Sequence, residues 1–170
     1  MLSKKLENEL NKQMNNEFFA EFEYLSMAAY FHANNLDGIA NYFHVQAKEE
    51  HFHAMKIFHF ILDKGGSVTL QSIAQPDTSF RSIIDVFEKA LQHEKKVTRS
   101  INKLMDEAIK ENDHAVNSFL RWYVDEQVEE ESLANKSLGK VKLINGQGEG
   151  LLILDQEFGK RVFTEPAENQ

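Results

Sequence analysis

Residues 49–54, Glu49-Glu50-His51-Phe52-His53-Ala54, hold a carboxylate and an imidazole three positions apart, so that Glu50 and His53 share one helix face. Both fall in the register of an apolar stripe formed by Ile39, Phe43, Ile57 and Ile61. A charge in such a register is costly unless it is paired, protonated or bound to metal. Three other segments repeat the pattern. Glu17 lies within the stripe of Leu6, Leu10, Met14, Tyr24, Ala28 and Phe31. Glu94 lies within that of Ile84, Phe87, Leu91, Thr98, Ile101 and Met105, and Gln127 and Glu130 within that of Val116, Leu120, Tyr123, Ala134, Leu138 and Val141. Six polar groups at core positions, all able to bind metal, imply a dinuclear metal site inside a helix bundle.

The spacing predicts an all-α chain, a single domain over residues 1–170 whose four-helix bundle spans about 4–144. The first helix runs from about Lys4 to Ala33 and ends at Asn34-Asn35-Leu36-Asp37-Gly38. The second runs to about Lys64, where Gly65-Gly66 stops it. The third begins near Phe80 and stops around Glu111-Asn112-Asp113, with Asp113 placed to cap the fourth. Asn145 to Gly150 breaks the fourth helix, and Leu151-Leu152-Ile153-Leu154 with Phe158 predicts a short C-terminal fifth helix over about 149–161. Short breaks make helices one and two antiparallel, and likewise three and four. The connection from Gly65 to Ser79, at roughly 3.3 Å per residue, can reach about 50 Å. The second helix, at about 1.5 Å per residue, is only about 40 Å long. One long crossover can therefore travel the bundle's length and leave helices two and three parallel.

This topology brings the six residues to one depth. Folding the first pair about its turn sets Glu17 beside His53; folding the second sets Glu94 opposite Glu130. Glu50 and Glu94 lie at similar depths on parallel helices, so all six fall within about one turn.

Composition narrows the chemistry. The chain has no cysteine, which excludes disulfides, zinc fingers, iron–sulfur clusters and thiol nucleophiles. The net charge of −8 argues against nucleic-acid binding and fits cation traffic. No run approaches the roughly 18 apolar residues of a membrane span, and the first residues are polar without an apolar signal core, so no membrane and a cytoplasmic location are expected. Carboxylates with an imidazole suit iron, manganese or zinc. Glu17, Glu50 and His53 are expected around one ion and Glu94 with Glu130 around the other, with Glu50 between them. Gln127, being neutral, is expected to orient a water or oxygen species.

With these residues in place the chain resembles a non-haem prokaryotic ferritin over nearly its whole length. The resemblance rests on Glu17 with Tyr24, on Glu49 to Ala54, on Glu94, and on Asp125-Glu126-Gln127-Val128-Glu129-Glu130. Ferritin-like bundles are a standing example of metal sites built from facing helices. Here Gln127-x-x-Glu130 replaces a second Glu-x-x-His, which favours a ferritin over a bacterioferritin or a symmetric di-iron oxidase. His51 stands where bacterioferritins have a haem-binding Met, so no haem is expected.

The resemblance implies a ferroxidase that oxidises Fe(II) with O2 or H2O2 at a di-iron centre and stores Fe(III) as mineral in a shell of twenty-four subunits. It implies a third iron site from Glu49, Glu126, Glu129 and Glu130, and an electron-donating or hydrogen-bonding role for Tyr24 beside the metals. Two departures from the family stand out. Asn117 and Leu120, beside Arg121, replace the acids that line the three-fold pore of many animal ferritins, and Phe52 and Met55 replace mineral-nucleating acids. Trp122 reads as packing or subunit contact. His32, His44, His51, His59, His93 and His114 read as surface, interface or capping residues.

Three other classes compete. A rubrerythrin-type oxidase would carry a cysteine-ligated iron, and this chain has no cysteine. A DNA-protecting mini-ferritin would hold its metal between subunits and lack the fifth helix. An inert interaction bundle would bind no metal.

Overall fold

Side-chain caps mark where the helices start. In the computed structural model, which describes residues 2–165, Ser3 accepts from the Leu6 amide, Ser82 from that of Asp85, and Asp113 from those of Ala115 and Val116. The resulting elements are α1 (Lys4–Ala33), α2 (Asp37–Asp63), α3 (Ile83–Lys110), α4 (His114–Leu143) and α5 (Glu149–Phe158). Asn35, Asn112 and Asn145 take left-handed φ values of 57°, 54° and 53° in the turns after α1, α3 and α4. Asparagine tolerates this conformation better than most side chains. No described helix is long and apolar enough to cross a membrane.

Two boundaries differ from the sequence expectation. Helix α3 begins at Ile83 rather than near Phe80, because Ser82 takes the cap position and Arg81 pairs with Asp85 at 2.6 Å. Helix α5 ends at Phe158, three residues before the expected 161. The stripe of α3 is also rotated: Val86, Ala90, Val97 and Leu104 are buried, whereas Ile84, Leu91 and Met105 are only half-buried.

The crossover is laid along α1 by a ladder of asparagine amides. Asn11 donates to the Ser67 carbonyl (2.9 Å) and accepts from the Thr69 amide (2.6 Å). Asn15 donates to the Thr69 carbonyl (2.9 Å) and accepts from the Gln71 amide (2.8 Å). Further on, Ser26 donates to the Asp77 carbonyl. The contacts advance together along both segments, so the crossover runs parallel to α1, as the length argument requires. These bonds satisfy backbone groups of an irregular stretch that has no ladder of its own.

The core comes in two apolar parts. One contains Tyr24, Met27, Phe31, Phe43, Phe87, Val141, Leu154 and Phe158. The other contains Leu6, Leu10, Met14, Ile57, Ile61, Val97, Ile101, Leu120 and Tyr123. Along each long helix the gap between the two parts is where the six polar residues fall: Glu17, then Glu50 and His53, then Glu94, then Gln127 and Glu130. Helix α5 packs mainly on α2. Its Asp155 accepts from the Ile39 amide at 2.8 Å, filling the cap that Leu36 cannot supply. A Cβ on Gly38 would stand 1.8 Å from the Asp155 carbonyl oxygen, so this approach requires glycine.

Candidate metal centre

The six residues are buried, from 0% exposure for Glu17 to 5% for Gln127. Ligand atoms of Glu17, Glu50 and His53 all lie within 4.8 Å of one another, as do those of His53, Glu126 and Glu130. His53 joins the groups: its Nδ1 is 3.4 Å from Glu50 Oε2 and its Nε2 is 3.8 Å from Glu126 Oε1.

Hydrogen bonds hold most of these groups from outside. Gln13 Nε2 donates to Glu17 Oε1 (2.7 Å), and Ser100 in turn donates to the side-chain oxygen Oε1 of Gln13. Gln46 donates to Glu130 Oε2 (3.0 Å). Tyr24 donates to Glu94 Oε1. Gln127 Nε2 approaches Glu94 Oε2, the Glu94 carbonyl and Thr98 Oγ1, each at 3.3 Å. Tyr123 donates to the His53 carbonyl (2.7 Å), and the Trp122 ring meets the His53 ring edge-on at 5.4 Å. Partners that fix a ligand's orientation are part of a metal site's construction.

Among these six residues one buried side-chain oxygen is left over. Glu17 Oε2 is buried and accepts no hydrogen bond among the described residues. A buried carboxylate oxygen without a partner is expensive, and a cation between Glu17, Glu50 and His53 would satisfy it. The electrostatics agree. Burial pushes the Glu50 carboxyl well above its ordinary value, with Glu94 and Glu17 adding to the rise and His53 opposing it. Burial, then the charge of Glu94, pushes Glu130 up to about 8. Burial works against a charged His53, yet Glu126 and Glu50 lift it well above the usual imidazole range. The metal-free site thus retains protons, and a divalent ion would replace them.

The residues expected around a third ion separate. Glu126 joins His53 and Glu130, whereas Glu129 is exposed and outside that group. Glu49 is partly buried and pairs with Arg161 at 2.6 Å. Burial pushes the Glu49 carboxyl up, Arg161 opposes that, and Glu126 adds to it.

Several participants escaped the sequence reading. Gln13 lies four residues before Glu17, and Gln46 four before Glu50, and both are buried; amides in a core register are the signal that could have found them. His93, grouped with the surface, interface or capping histidines, is half-buried, with Nδ1 2.7 Å from Glu23 and its ring 5.7 Å from that of Tyr24. Arg161, in the segment after α5, carried no signal at all.

Comparison with known proteins adds relatives. The ferritin-like domain family matches residues 7–144. The bacterial non-heme ferritin of Staphylococcus aureus (strain USA300) is 41% identical over 165 residues, 97% of this chain and 99% of that one. That of Campylobacter jejuni is 41% identical over 156 residues, 92% and 93% of the two chains. Among solved structures, an open-pore ferritin from the hyperthermophilic archaeon Archaeoglobus fulgidus superposes with a TM-score of 0.94 at 41% identity, over 95% of this chain and all of that one.

Proposed function

The chain belongs to the ferritin family, and from that premise we propose that it is a ferroxidase that binds Fe(II) at the buried pair of positions, oxidises it with O2 or H2O2, and stores Fe(III) as mineral inside a cytoplasmic shell of twenty-four copies. The observation that carries this reading is the unpartnered, fully buried Oε2 of Glu17 beside Glu50 and His53. A structural layer would close its hydrogen bonds, whereas a site for a divalent cation leaves an acceptor open.

We assign Glu17, Glu50 and His53 to one Fe(II), and Glu94 with Glu130 to the second, with Glu50 bridging. Each Fe(II) gives one electron to the oxidant. Burial favours the protonated forms of Glu50 and Glu130, so Fe(II) binding is coupled to proton release from the pocket. Gln127 is held beside Glu94 by 3.3 Å contacts and can present its amide to a water or an oxygen species. Tyr24 orients Glu94 and is placed to donate an electron. Glu49 and Glu126, with Glu130, are assigned to a third iron on its way out of the pair, and the exposed Glu129 reaches that iron only by a change of rotamer. The whole chain, 1–170, acts as one domain.

Stopped-flow mixing of Fe(II) with air-saturated wild-type, Glu50→Ala and Glu94→Ala shells tests the assignment. Both variants should lose the fast oxidation phase while remaining assembled. Wild-type rates from an intact Glu50→Ala shell would overturn it.

A further inference from the structure

A cation supplied by the chain itself stands at the edge of the acidic layer. Past α5 the backbone turns along α2, where Asn41 Nδ2 donates to the carbonyls of Gly159 (3.4 Å) and Arg161 (2.9 Å). This anchor sets the Arg161 guanidinium over the Tyr42 ring, 4.8 Å from its centre, with Nη2 2.6 Å from Glu49 Oε2. Both side chains are about one-fifth exposed, at 19% and 20%. Glu49 adjoins the buried Glu50 in sequence, and its carboxyl senses the charges of Glu126 and His53. Glu126 and Glu130 in turn lie with His53 inside the second ligand group. The guanidinium is therefore the positive partner of a carboxylate that belongs to the margin of the metal centre.

We propose that Arg161 is a tethered competitor for the outer metal position, neutralising Glu49 while that position is empty and displaced when a divalent cation binds Glu49 with Glu126 and Glu130. The proposal rests on the reading that the buried pair handles divalent iron. A guanidinium and a metal ion cannot share one carboxylate without mutual repulsion, so each weakens the other's hold on Glu49. The Arg161 contact is built to be broken. It uses one nitrogen rather than the bidentate fork that makes arginine–carboxylate pairs strong. Nη1 is buried without a hydrogen-bond partner among the described residues, so the pair is not closed on the arginine side. The Tyr42 face offers the displaced cation a resting place that does not involve Glu49. The tail keeps its place through backbone carbonyls held by Asn41, so the side chain can move while the anchor stays. The consequence is an outer position weaker than the buried pair: an ion reaching it is held briefly, and the guanidinium returns when the ion leaves.

Calorimetric titration of Zn(II), a redox-inert ion with the same taste for carboxylate and imidazole, into the assembled full-length protein tests this. Wild type should show two tighter binding events per subunit and a weaker third. Arg161→Gln should strengthen the third by about tenfold, within the usual range of coupling between sites, and leave the first two unchanged. Arg161→Lys, which keeps the charge, should stay near wild type. In a Glu49→Gln background, Arg161→Gln should change nothing, because the shared carboxylate is gone. An unchanged or weakened third event in Arg161→Gln overturns the proposal, as does a Lys variant that behaves like Gln, or the lack of a third event in every variant. Glu50→Ala serves as the separate control. If it leaves the two tighter events intact, the buried-pair reading fails instead.

Discussion

The phenol of Tyr24 on α1 donates a hydrogen bond to Glu94 on α3 at the boundary between the aromatic part of the core and the polar layer. Its ring stacks with Phe43 at 6.0 Å and meets the edge of His93 at 5.7 Å, while His93 pairs with Glu23 at 2.7 Å. Burial, with the charges of Glu94 and Glu50, pushes the phenol well above its ordinary value, so it stays protonated and donating. The aromatic core thereby fixes one oxygen of a carboxylate assigned to the metal.

Tyr24→Phe keeps the ring contacts and deletes only the O–H. The fold should persist at a cost of about 1–2 kcal/mol, the scale of one buried hydrogen bond. First-turnover iron binding should survive, while oxidation beyond the first two irons should slow by roughly fivefold to thirtyfold, the kinetic equivalent of about that energy. Oxygen consumption per iron over repeated additions measures this; unchanged later turnovers would remove Tyr24 from the reaction.

Glu50→Gln should stabilise the metal-free protein. Glu50 is 1% exposed and its carboxyl is raised by burial, with Glu94 and Glu17 adding repulsion. Replacing it by a neutral isostere removes a buried acid; a gain of about 1 kcal/mol corresponds to a rise of roughly 2–4 °C in Tm for a chain of this size. The same variant should lose most of the stabilisation that saturating Zn(II) gives wild type, about 2.7 kcal/mol at a hundredfold excess over Kd. Thermal unfolding with and without Zn(II) shows both effects, and a Zn(II)-dependent Tm equal to wild type would sink the ligand role.

Metal-free stability should fall as pH rises from about 5 to about 9. Glu130 is raised from 4.5 to about 8, so between those values the folded chain holds a proton that the unfolded chain has released, and stability declines with pH. His93 is raised from 6.5 to about 9 by Glu23 and the nearby carboxylates, against burial. Its stabilisation is complete below 6.5 and lost as pH climbs through 9, so the two groups act in the same direction. Urea unfolding of metal-free protein at pH 6 and pH 9 should place the lower midpoint at pH 9; the reverse order would contradict both shifts.

How far these features could be read from the chain alone depended on periodicity. The stripes of α1, α2 and α4 predict buried positions that the structure buries, and folding α1 on α2 and α3 on α4 about their turns brings Glu17, Glu50, His53, Glu94, Gln127 and Glu130 to one level. Helix α3 was misphased by a residue because Ile84, Leu91 and Met105 are apolar yet lie on the stripe's margin, while small Ala90 and Ala108 fill its centre. The Asn11 and Asn15 ladder, the Gly38–Asp155 contact and the Arg161–Glu49 pair join residues 54 to 117 positions apart without any helical period. Only the folded chain brings such partners together, and they are what tie the crossover and α5 to the bundle.

Assembly should depend on the outer face of α5. The sequence shows four apolar residues in a row, Leu151 to Leu154, and a single chain hides only part of them. Leu154 and Phe158 pack inward, Phe158 at 4.8 Å from the Tyr42 ring and 5.7 Å from that of Phe87, whereas Leu152 and Ile153 stay 61% and 68% exposed. Truncation after Gly150 would remove both faces and the Asp155 cap on α2 together, so it should weaken the shell but cannot say which contact matters. The sharper variant is Leu152→Lys with Ile153→Lys, which leaves Leu154, Asp155 and Phe158 in place. If copies of α5 meet at a symmetry axis, each such apolar side chain contributes roughly 1.5–3 kcal/mol per copy when covered, and like charges there would repel. The double variant should keep its helical circular dichroism and its tight Zn(II) events while light scattering shows smaller species and mineral is no longer retained. A full-size, iron-retaining shell from that variant would mean that α5 is not a closing contact.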